Sequence, residues 1–469
     1  MMPQRFEHEK SSDSFDPQTP SSIETRTQEI GQEIFQASRQ TIFQKNFWYN
    51  KLLELSTSDP RVKTQLFRFV DVLPALQDSA SKRFHLIEYL QRPQSAAQWP
   101  WSLSLVSSLL KVPVLDEALV RISDFQVAQM AKNFILGSGP EEALPKLLER
   151  RSRGMAFTLD ILGETVFSDS ESQYYLRLYR ALISELGDQA KSWKRVPQID
   201  DSALGPIPPV NISLKVSALA CHIDPMAFEA SITTLQSRIE PLMRLAMEKN
   251  VFINFDMEQF ALRELTRELF KRILSKPEFR SYRHFGIVVQ AYQRTSLADV
   301  EDWIQFASER GTPFTIRLVK GAYWDYECIQ ANQNSWQAPV YLEKRESDAN
   351  YERCTWALLK AYPKIELAMG SHNVRSLAHG LAVAEHLGLP LNALEIQMLY
   401  GMADPFKEAL LKRGLRLREY DPVGEMLPGL SYLVRRLLEN SANDSFLKQS
   451  FMDKTGIREL LKSPSHKGE

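Results

Sequence analysis

Between residues 157 and 422, short apolar or alternating runs are separated by longer stretches with helical spacing. The runs are FTLDILG (157–163), VNISLKV (210–216), VFINFDME (251–258), FGIVVQAY (285–292), FTIRLVKGAY (314–323), IELAMGSHN (365–373), LEIQMLYG (394–401) and LRLREYDP (415–422). Their length and β-branched and aromatic content predict buried strands. Between them, FEASITTLQSRIEPLMRLAMEK, LADVEDWIQFASER and VRSLAHGLAVAEHLG repeat apolar positions at helical intervals. Such alternation predicts parallel βαβ units. Eight units predict an α/β fold, a (β/α)8 barrel. A doubly wound sheet is the alternative. The sequence has no GxGxxG or GxxxxGK[ST] loop, which weighs against the dinucleotide-binding and P-loop versions of that sheet.

Upstream the pattern differs. Residues 1–25 are rich in Ser, Pro, Asp and Glu and read as a disordered lead. From Thr25, Ile30, Ile34, Phe35, Ile42 and Phe43 share one helical face, and similar stripes run through Leu66, Phe67, Val70 and Leu73 to Leu144, Leu147 and Leu148. Residues 26–150 are therefore expected to form an all-α domain, with RRSRG (150–154) as the junction to a barrel over 151–447 and a polar tail over 448–469. After the eighth run, GEMLPGLSYLVRRLLENSAND carries a helical stripe of Leu430, Leu433, Val434, Leu437 and Leu438. It predicts an extra C-terminal helix over the barrel mouth. Arg435 and Arg436 are neighbours on it, about 100° apart. They can reach one anion only if it lies between their faces, and Glu439 can pair with either.

Composition narrows the field. Fifty-seven basic residues against 58 acidic ones give no footprint for nucleic acid. Cys221, Cys328 and Cys354 are scattered without a CxxC pair, which fits a reducing, cytoplasmic setting. The N-terminus MMPQRFEHEKSSDSF lacks the apolar core of a secretory signal. The stretch from Pro93 to Leu110 is charge-free but too rich in serine, proline and glutamine for a spanning helix, and reads as a buried helix with its leading loop.

Barrel enzymes work at the C-terminal ends of their strands, and the polar residues gather there. The first run ends at Glu164, the second carries Lys215, and the third ends Asp256–Met257–Glu258. The fourth has Gln290 and Tyr292; the fifth has Arg317 and ends Lys320–Gly321–Ala322–Tyr323–Trp324. The sixth ends Ser371–His372–Asn373, the seventh Gln397–Met398–Leu399–Tyr400, and the eighth has Arg418–Glu419–Tyr420. Buried charge without partners is expensive, so a cluster of this size predicts a site.

These motifs resemble a known family. VNISLKVSAL, NFDME, VVQAY, RLVKGAYWDYE, SHN, QMLYGM and REYDPVGEMLPGLSYLVRRLLENSAN look like the proline dehydrogenase barrel, in particular that of the bifunctional enzyme proline utilization A. The likeness runs from about residue 155 to 447, and the helical region before it is similar to that enzyme's arm and helical domain. The resemblance implies FAD as cofactor, L-proline as substrate, Δ1-pyrroline-5-carboxylate as product and a membrane quinone as electron acceptor. By motif, Lys215, Arg435 and Arg436 would face the substrate carboxylate, with Asp256 beside Lys215 setting the charge. Tyr420 would pack on the proline ring, Tyr323 would lie near the substrate, and Glu164 would close the site by pairing with Arg435. Gln290 and Arg317 would contact the isoalloxazine, with Arg317 stabilising its reduced form. Lys320, Gly321, Ala322, Trp324, Ser371 and His372 would line the cofactor, joined by Met257 and Glu439. Asp256, Arg317 and Tyr420 are the implied catalytic set. No residue stands out as the base for the ring amine.

The bifunctional relatives continue into an aldehyde dehydrogenase domain, and some begin with a DNA-binding module. This sequence contains neither, so oxidation on to glutamate is expected to fall to a separate pyrroline-5-carboxylate dehydrogenase. Contact with the inner membrane face would be peripheral. Three rival readings remain, the weakest a non-enzymatic scaffold, which leaves the strand-end polar cluster without a purpose. Asp256-x-Glu258 also suits a barrel glycosidase with paired carboxylates. His372, His379 and His386, seven apart, suggest a metal-dependent hydrolase, although no HxH or HExxH motif supports one.

Overall fold

The computed structural model describes residues 20–39, 135–163, 166–424 and 456–464, with isolated positions between 76 and 88. Eight parallel strands close into a barrel. They are β1 Met155–Ile161, β2 Val210–Leu214, β3 Val251–Phe255, β4 Phe285–Gln290, β5 Phe314–Val319, β6 Ile365–Gly370, β7 Leu394–Leu399 and β8 Leu417–Val423. β1 closes the ring. It pairs with β8 from Met155↔Leu417 to Ile161↔Val423 and with β2 only at Leu159↔Ile212 and Asp160↔Ser213. Each of the eight predicted runs is a strand. Most stop short of the run's end, because polar tails such as Lys320–Ala322 and Ser371–Asn373 turn away as loops.

Helices cover the outside: α1 Ser21–Arg39, α2 Pro140–Ser152, α3 Asp169–Ala190, α4 Phe228–Lys249, α5 Arg263–Ser275, α6 Ser296–Arg310, α7 Trp324–Asn334, α8 Lys344–Lys360, α9 Val374–His386 and α10 Asp404–Lys412. Local chemistry sets their ends. Ser168 and Glu171 form a reciprocal capping box at the start of α3. Gly311, at φ 74°, ends α6 in the left-handed conformation that glycine adopts without strain.

Strand alternation gives the barrel two faces of opposite character. Phe157, Leu159, Ile212, Leu214, Ile253 and Phe255 belong to the apolar core under the helices. There Phe270 of α5 meets Phe255 at 5.2 Å and Trp303 of α6 at 5.7 Å, both edge-on. Each such burial stabilises by about 1.5–3 kcal/mol. The alternate positions face the lumen. Arg317 on β5 reaches Ser213 on β2, and Tyr420 on β8 reaches Asp256, the residue after β3. Neither pair of strands is adjacent, so both bonds cross the interior.

The described upstream residues pack on this barrel. α1 begins at Ser21, four residues before the predicted Thr25, because the Pro20 carbonyl already accepts from the N–H groups of Ile23 and Glu24. Ile30, Ile34 and Phe35 are buried as the stripe predicts, and Phe35 meets Phe406 of α10 edge-on at 5.4 Å. Glu24 pairs with Arg375 of α9 at 2.7 Å. In α2, Leu147 is buried, Leu144 half-buried and Leu148 exposed. Arg150 and Arg151 occupy its last turn, so the basic junction is a helix end feeding β1 through Gly154. Ile42, Phe43, the stripe from Leu66 to Leu73, the stretch from Pro93 to Leu110 and the C-terminal helix over 428–439 lie outside the described residues. Among the described residues, no helix is long and apolar enough to cross a membrane.

One buried group opposes the fold. Glu419 of β8 is fully buried and accepts from Arg150 and Lys407. Asp421, two residues on and equally buried, accepts no hydrogen bond on either oxygen among the described residues. Burial, reinforced by the Glu419 charge, pushes its carboxyl well above the usual range. A folded-state pKa above the unfolded value means stability falls as pH rises from the unfolded value toward the folded one. Asp421→Asn is neutral at every pH and is expected to flatten this slope. An unpaired buried group costs about 1–3 kcal/mol, worth about 1 °C per kcal/mol in a chain of this size if it melts as one unit. Melting curves should show the variant gaining more at pH 8 than at pH 5; equal shifts at both would refute the assignment.

Candidate active site

Two ion pairs meet inside the barrel near the strands' C-terminal ends. Lys215, in the extended residue after β2, donates from Nζ to Asp160 Oδ1 and, at 3.2 Å, to the Ile161 carbonyl. Its own N–H donates to the Tyr179 hydroxyl of α3 at 3.3 Å. On the facing strands, Arg317 Nη1 donates to Asp256 Oδ1 at 2.7 Å and Nη2 to Ser213 Oγ at 3.1 Å. The Tyr420 hydroxyl donates to Asp256 Oδ2 at 2.7 Å, and the Arg317 guanidinium lies 5.3 Å from the Tyr420 ring centre. Lys215, Asp160, Asp256 and Arg317 are each buried. Among the described residues, two cations and two anions thus face one another in this buried space.

That space perturbs its acids. Burial raises the Asp160 carboxyl above its ordinary value, the Asp256 charge adds to this, and Lys215 opposes it. Burial, with the charges of Asp160 and Asp256, holds the Tyr420 phenol well above its usual range, so it stays a hydrogen-bond donor.

Asp256 lies next to Lys215 across the β2–β3 pairing, which runs to Leu214↔Phe255 and brings the Asp256 N–H to the Leu214 carbonyl at 2.9 Å. Its carboxylate accepts from Arg317 and Tyr420, while the Lys215 ammonium donates to Asp160. Asp160 lies inside the first run and was not singled out. Alternation could have found it, since Asp160 shares the inward face of Thr158, which bonds Asn211 across the pleat at 2.6 Å. Glu258 was also read too simply. It accepts from the N–H of Ser217 at 3.1 Å and from its hydroxyl. It therefore ties the β2 loop down, while Asp256 faces a different partner. The paired-carboxylate arrangement of a glycosidase does not form.

The ends of β4, β5 and β6 build a second wall. Buried Gln290 donates to the Met257 carbonyl at 3.3 Å and accepts from Gln293 at 2.8 Å. Gly321 and Ala322 are exposed at the rim and Tyr323 is half-buried. Gly321 adopts φ +134°, and a Cβ there would lie 2.4 Å from ring atoms of buried Tyr292; only glycine permits that close approach. Lys320 is held by Asp348 of α8, and the Trp324 indole N–H donates to the Tyr341 carbonyl at 2.9 Å. Ser371 Oγ accepts from the Asn373 N–H at 3.1 Å, and His372 Nε2 from the Leu399 N–H at 3.0 Å. His379 instead sits in α9 beside Glu352, 3.6 Å away. Glu164, Arg435, Arg436 and Glu439 lie outside the described residues.

A closed parallel barrel with a cluster of buried ion pairs at its C-terminal mouth defines an enzyme of the (β/α)8 class. The family follows from comparison. The proline dehydrogenase family profile matches residues 143–449, and that of the proline utilization A N-terminal domain matches residues 24–134. The chain belongs to the proline dehydrogenase family. It is 30% identical over 356 residues to the bifunctional protein PutA of Escherichia coli (strain K12), covering 74% of this chain and 26% of that protein. It is 26% identical over 317 residues to proline dehydrogenase 2 of Bacillus subtilis (strain 168), covering 67% of this chain and 88% of that protein. The crystal structure of proline utilization A from Bdellovibrio bacteriovorus, inactivated by N-propargylglycine, superposes with a TM-score of 0.86 at 44% identity. That match covers 94% of this chain and 44% of the other. The chain thus spans about a quarter of the E. coli PutA protein.

Proposed function

We propose that this chain oxidises L-proline to Δ1-pyrroline-5-carboxylate with FAD and passes the electrons to a membrane quinone, its product going to a separate pyrroline-5-carboxylate dehydrogenase. The observation that carries the reading is the lumen cluster of Lys215–Asp160 and Arg317–Asp256–Tyr420 in a chain of this family. Proline is a zwitterion and needs a fixed cation for its carboxylate. Lys215 supplies one, and Arg435 and Arg436 are its partners in the clamp. The related structure's inactivator, N-propargylglycine, likewise joins a secondary amine to a carboxylate.

The residues fit a flavin. The buried Arg317 Nε has no hydrogen-bond partner among the described residues, and Gly321, packed against the Tyr292 ring, keeps the backbone of the KGA turn bare of a side chain at the rim. Gln290, Arg317, Lys320, Gly321, Ala322, Trp324, Ser371 and His372 would hold the cofactor, with Met257 and Glu439 beside it. When bound, FAD supplies the acceptor for the hydride equivalent leaving the ring carbon next to nitrogen. The chain's own groups bind and orient proline. Asp256 keeps Arg317 and Tyr420 in place, and Tyr420 packs the ring. Tyr323 lies near the substrate, and Glu164 closes the site through Arg435.

Purified protein is expected to show the visible flavin band and to bleach on addition of proline without air. A colourless protein, or a flavin that stays oxidised, defeats the proposal. Tyr420 also sets specificity by crowding any ring hydroxyl. Tyr420→Ser should move the kcat/KM ratio toward hydroxyproline by about tenfold or more, the scale of a small steric change in a pocket; an unchanged ratio removes this role.

A further inference from the structure

We infer that Asp160 is a positioning residue of this site: it holds the Lys215 ammonium in place and charged, so that the lysine still grips a carboxylate at alkaline pH. The inference rests on the proline dehydrogenase reading and extends it to a residue that the motifs do not mark.

The geometry carries it. Lys215 follows β2, at the strand end where its four-carbon stem is free to place the ammonium in many positions. Two contacts remove that freedom. Asp160 Oδ1 and the Ile161 carbonyl, consecutive on β1, both accept from Nζ. The β1–β2 pairing at Asp160↔Ser213 sets Asp160 two residues from Lys215 on the same inward face. Backbone register therefore fixes the ion pair. The lysine is tied down at both ends, since its N–H is bonded to the Tyr179 hydroxyl. Asp160 itself is not tied in this way. Its Oδ2 is buried and accepts no hydrogen bond among the described residues. An aspartate kept only for stability would be expected to have both oxygens satisfied. Its Oδ1 takes the Lys215 ammonium.

The chemistry explains the need. The ring amine of proline must be neutral before its carbon can give up a hydride equivalent, and an aliphatic amine loses its proton only in the alkaline range. A lysine in the same site titrates there too, at about 10.4 when unperturbed. Burial alone would strip its proton earlier. An anion in direct contact reverses that tendency, so the clamp survives to the pH at which the substrate becomes reactive. Among the described residues, the other titratable groups around the pair are Asp256 just after β3, Glu258 two residues on, Tyr420 on β8, Tyr179 on α3 and Arg317 on β5. Asp256 is held by Arg317 and Tyr420, and both phenols are pushed to high pKa by burial. Asp160 is the carboxylate that the β1–β2 register brings into contact with the Lys215 ammonium.

The test uses the flavin-loaded full chain with Asp160→Asn, which keeps the shape and removes the charge, and Asp160→Glu, which restores it. Proline KM should rise about tenfold or more in Asp160→Asn, the effect of one charge-assisted bond lost, while kcat changes much less. The alkaline limb of the kcat/KM profile should move to lower pH by about one unit. Asp160→Glu should recover part of both. The analogue with oxygen in place of the ring nitrogen keeps the carboxylate but has no amine, so its dissociation constant reads the clamp without turnover. It should weaken in parallel with KM. Unchanged KM and pH profile in a folded Asp160→Asn would overturn the inference, as would an equal fall in kcat with no change in analogue binding. Should that variant not fold, wild-type binding of the analogue decides: affinity lost already below about pH 9 would show that the lysine is not held charged. Failure of wild-type protein to oxidise proline at all would instead defeat the broader function.

Discussion

Replacing Asp256 by alanine is expected to cut kcat/KM for proline by a hundredfold to a thousandfold in the flavin-loaded enzyme. Asp256 is the shared acceptor for Arg317 and Tyr420, each at 2.7 Å. Removing it leaves a guanidinium that is only 3% exposed without its counter-ion. Breaking a buried pair from one side costs about 3–5 kcal/mol, because the remaining charge stays desolvated. Part of that loss is structural, so a melting curve must accompany the kinetics. Asp256→Asn separates the contributions: it keeps an oxygen for Tyr420 but loses the charge, and it should fall between wild type and alanine. A kcat/KM within threefold of wild type for Asp256→Ala would show that the lumen cluster is scaffolding alone.

Arg436→Met is expected to raise the proline KM by about thirtyfold or more with a smaller change in kcat. Truncating one member of a buried, hydrogen-bonded charge pair costs about 2–5 kcal/mol, and each 1.4 kcal/mol is about tenfold. Guanidinium and carboxylate planes match in a two-point contact that methionine cannot replace. Steady-state kinetics over a wide proline range would measure the effect. An unchanged KM would leave Lys215 and Arg435 as the clamp and remove Arg436 from it. The two experiments also discriminate between roles. Loss at Asp256 should appear in kcat as well as KM, because it disorders Arg317 and Tyr420 together. Loss at Arg436 should fall mainly on substrate binding.

The barrel was legible along the chain because two periodicities alternate without interruption. The run FGIVVQAY and the stretch LADVEDWIQFASER show the two patterns side by side, and they became β4 and α6 with boundaries shifted by only a few residues. Strand-end chemistry was legible too, since a parallel barrel brings all eight ends to one mouth. Less was visible where a residue's meaning depends on its partner. Asp160 looked like one polar position in FTLDILG, and the outward-facing pair Glu419 and Asp421 looked like part of the same strand-end motif as Arg418 and Tyr420. In the fold, Glu419 turns to Arg150 and Lys407 outside the barrel, while Tyr420 points inward to Asp256.

By itself, the sequence determined the fold class, the eight strands and the residue types gathered at their C-terminal ends. Tertiary structure alone decided which inward residues meet. Lys215 donates to a carboxylate 55 positions earlier, and Tyr420 reaches Asp256 across 164 positions. The physical reason is closure. Alternation fixes the face of a side chain, but the stagger and tilt at which eight strands shut into a ring set the distances across its lumen. Those distances depend on the packing of the whole shell, and no local run of residues encodes them.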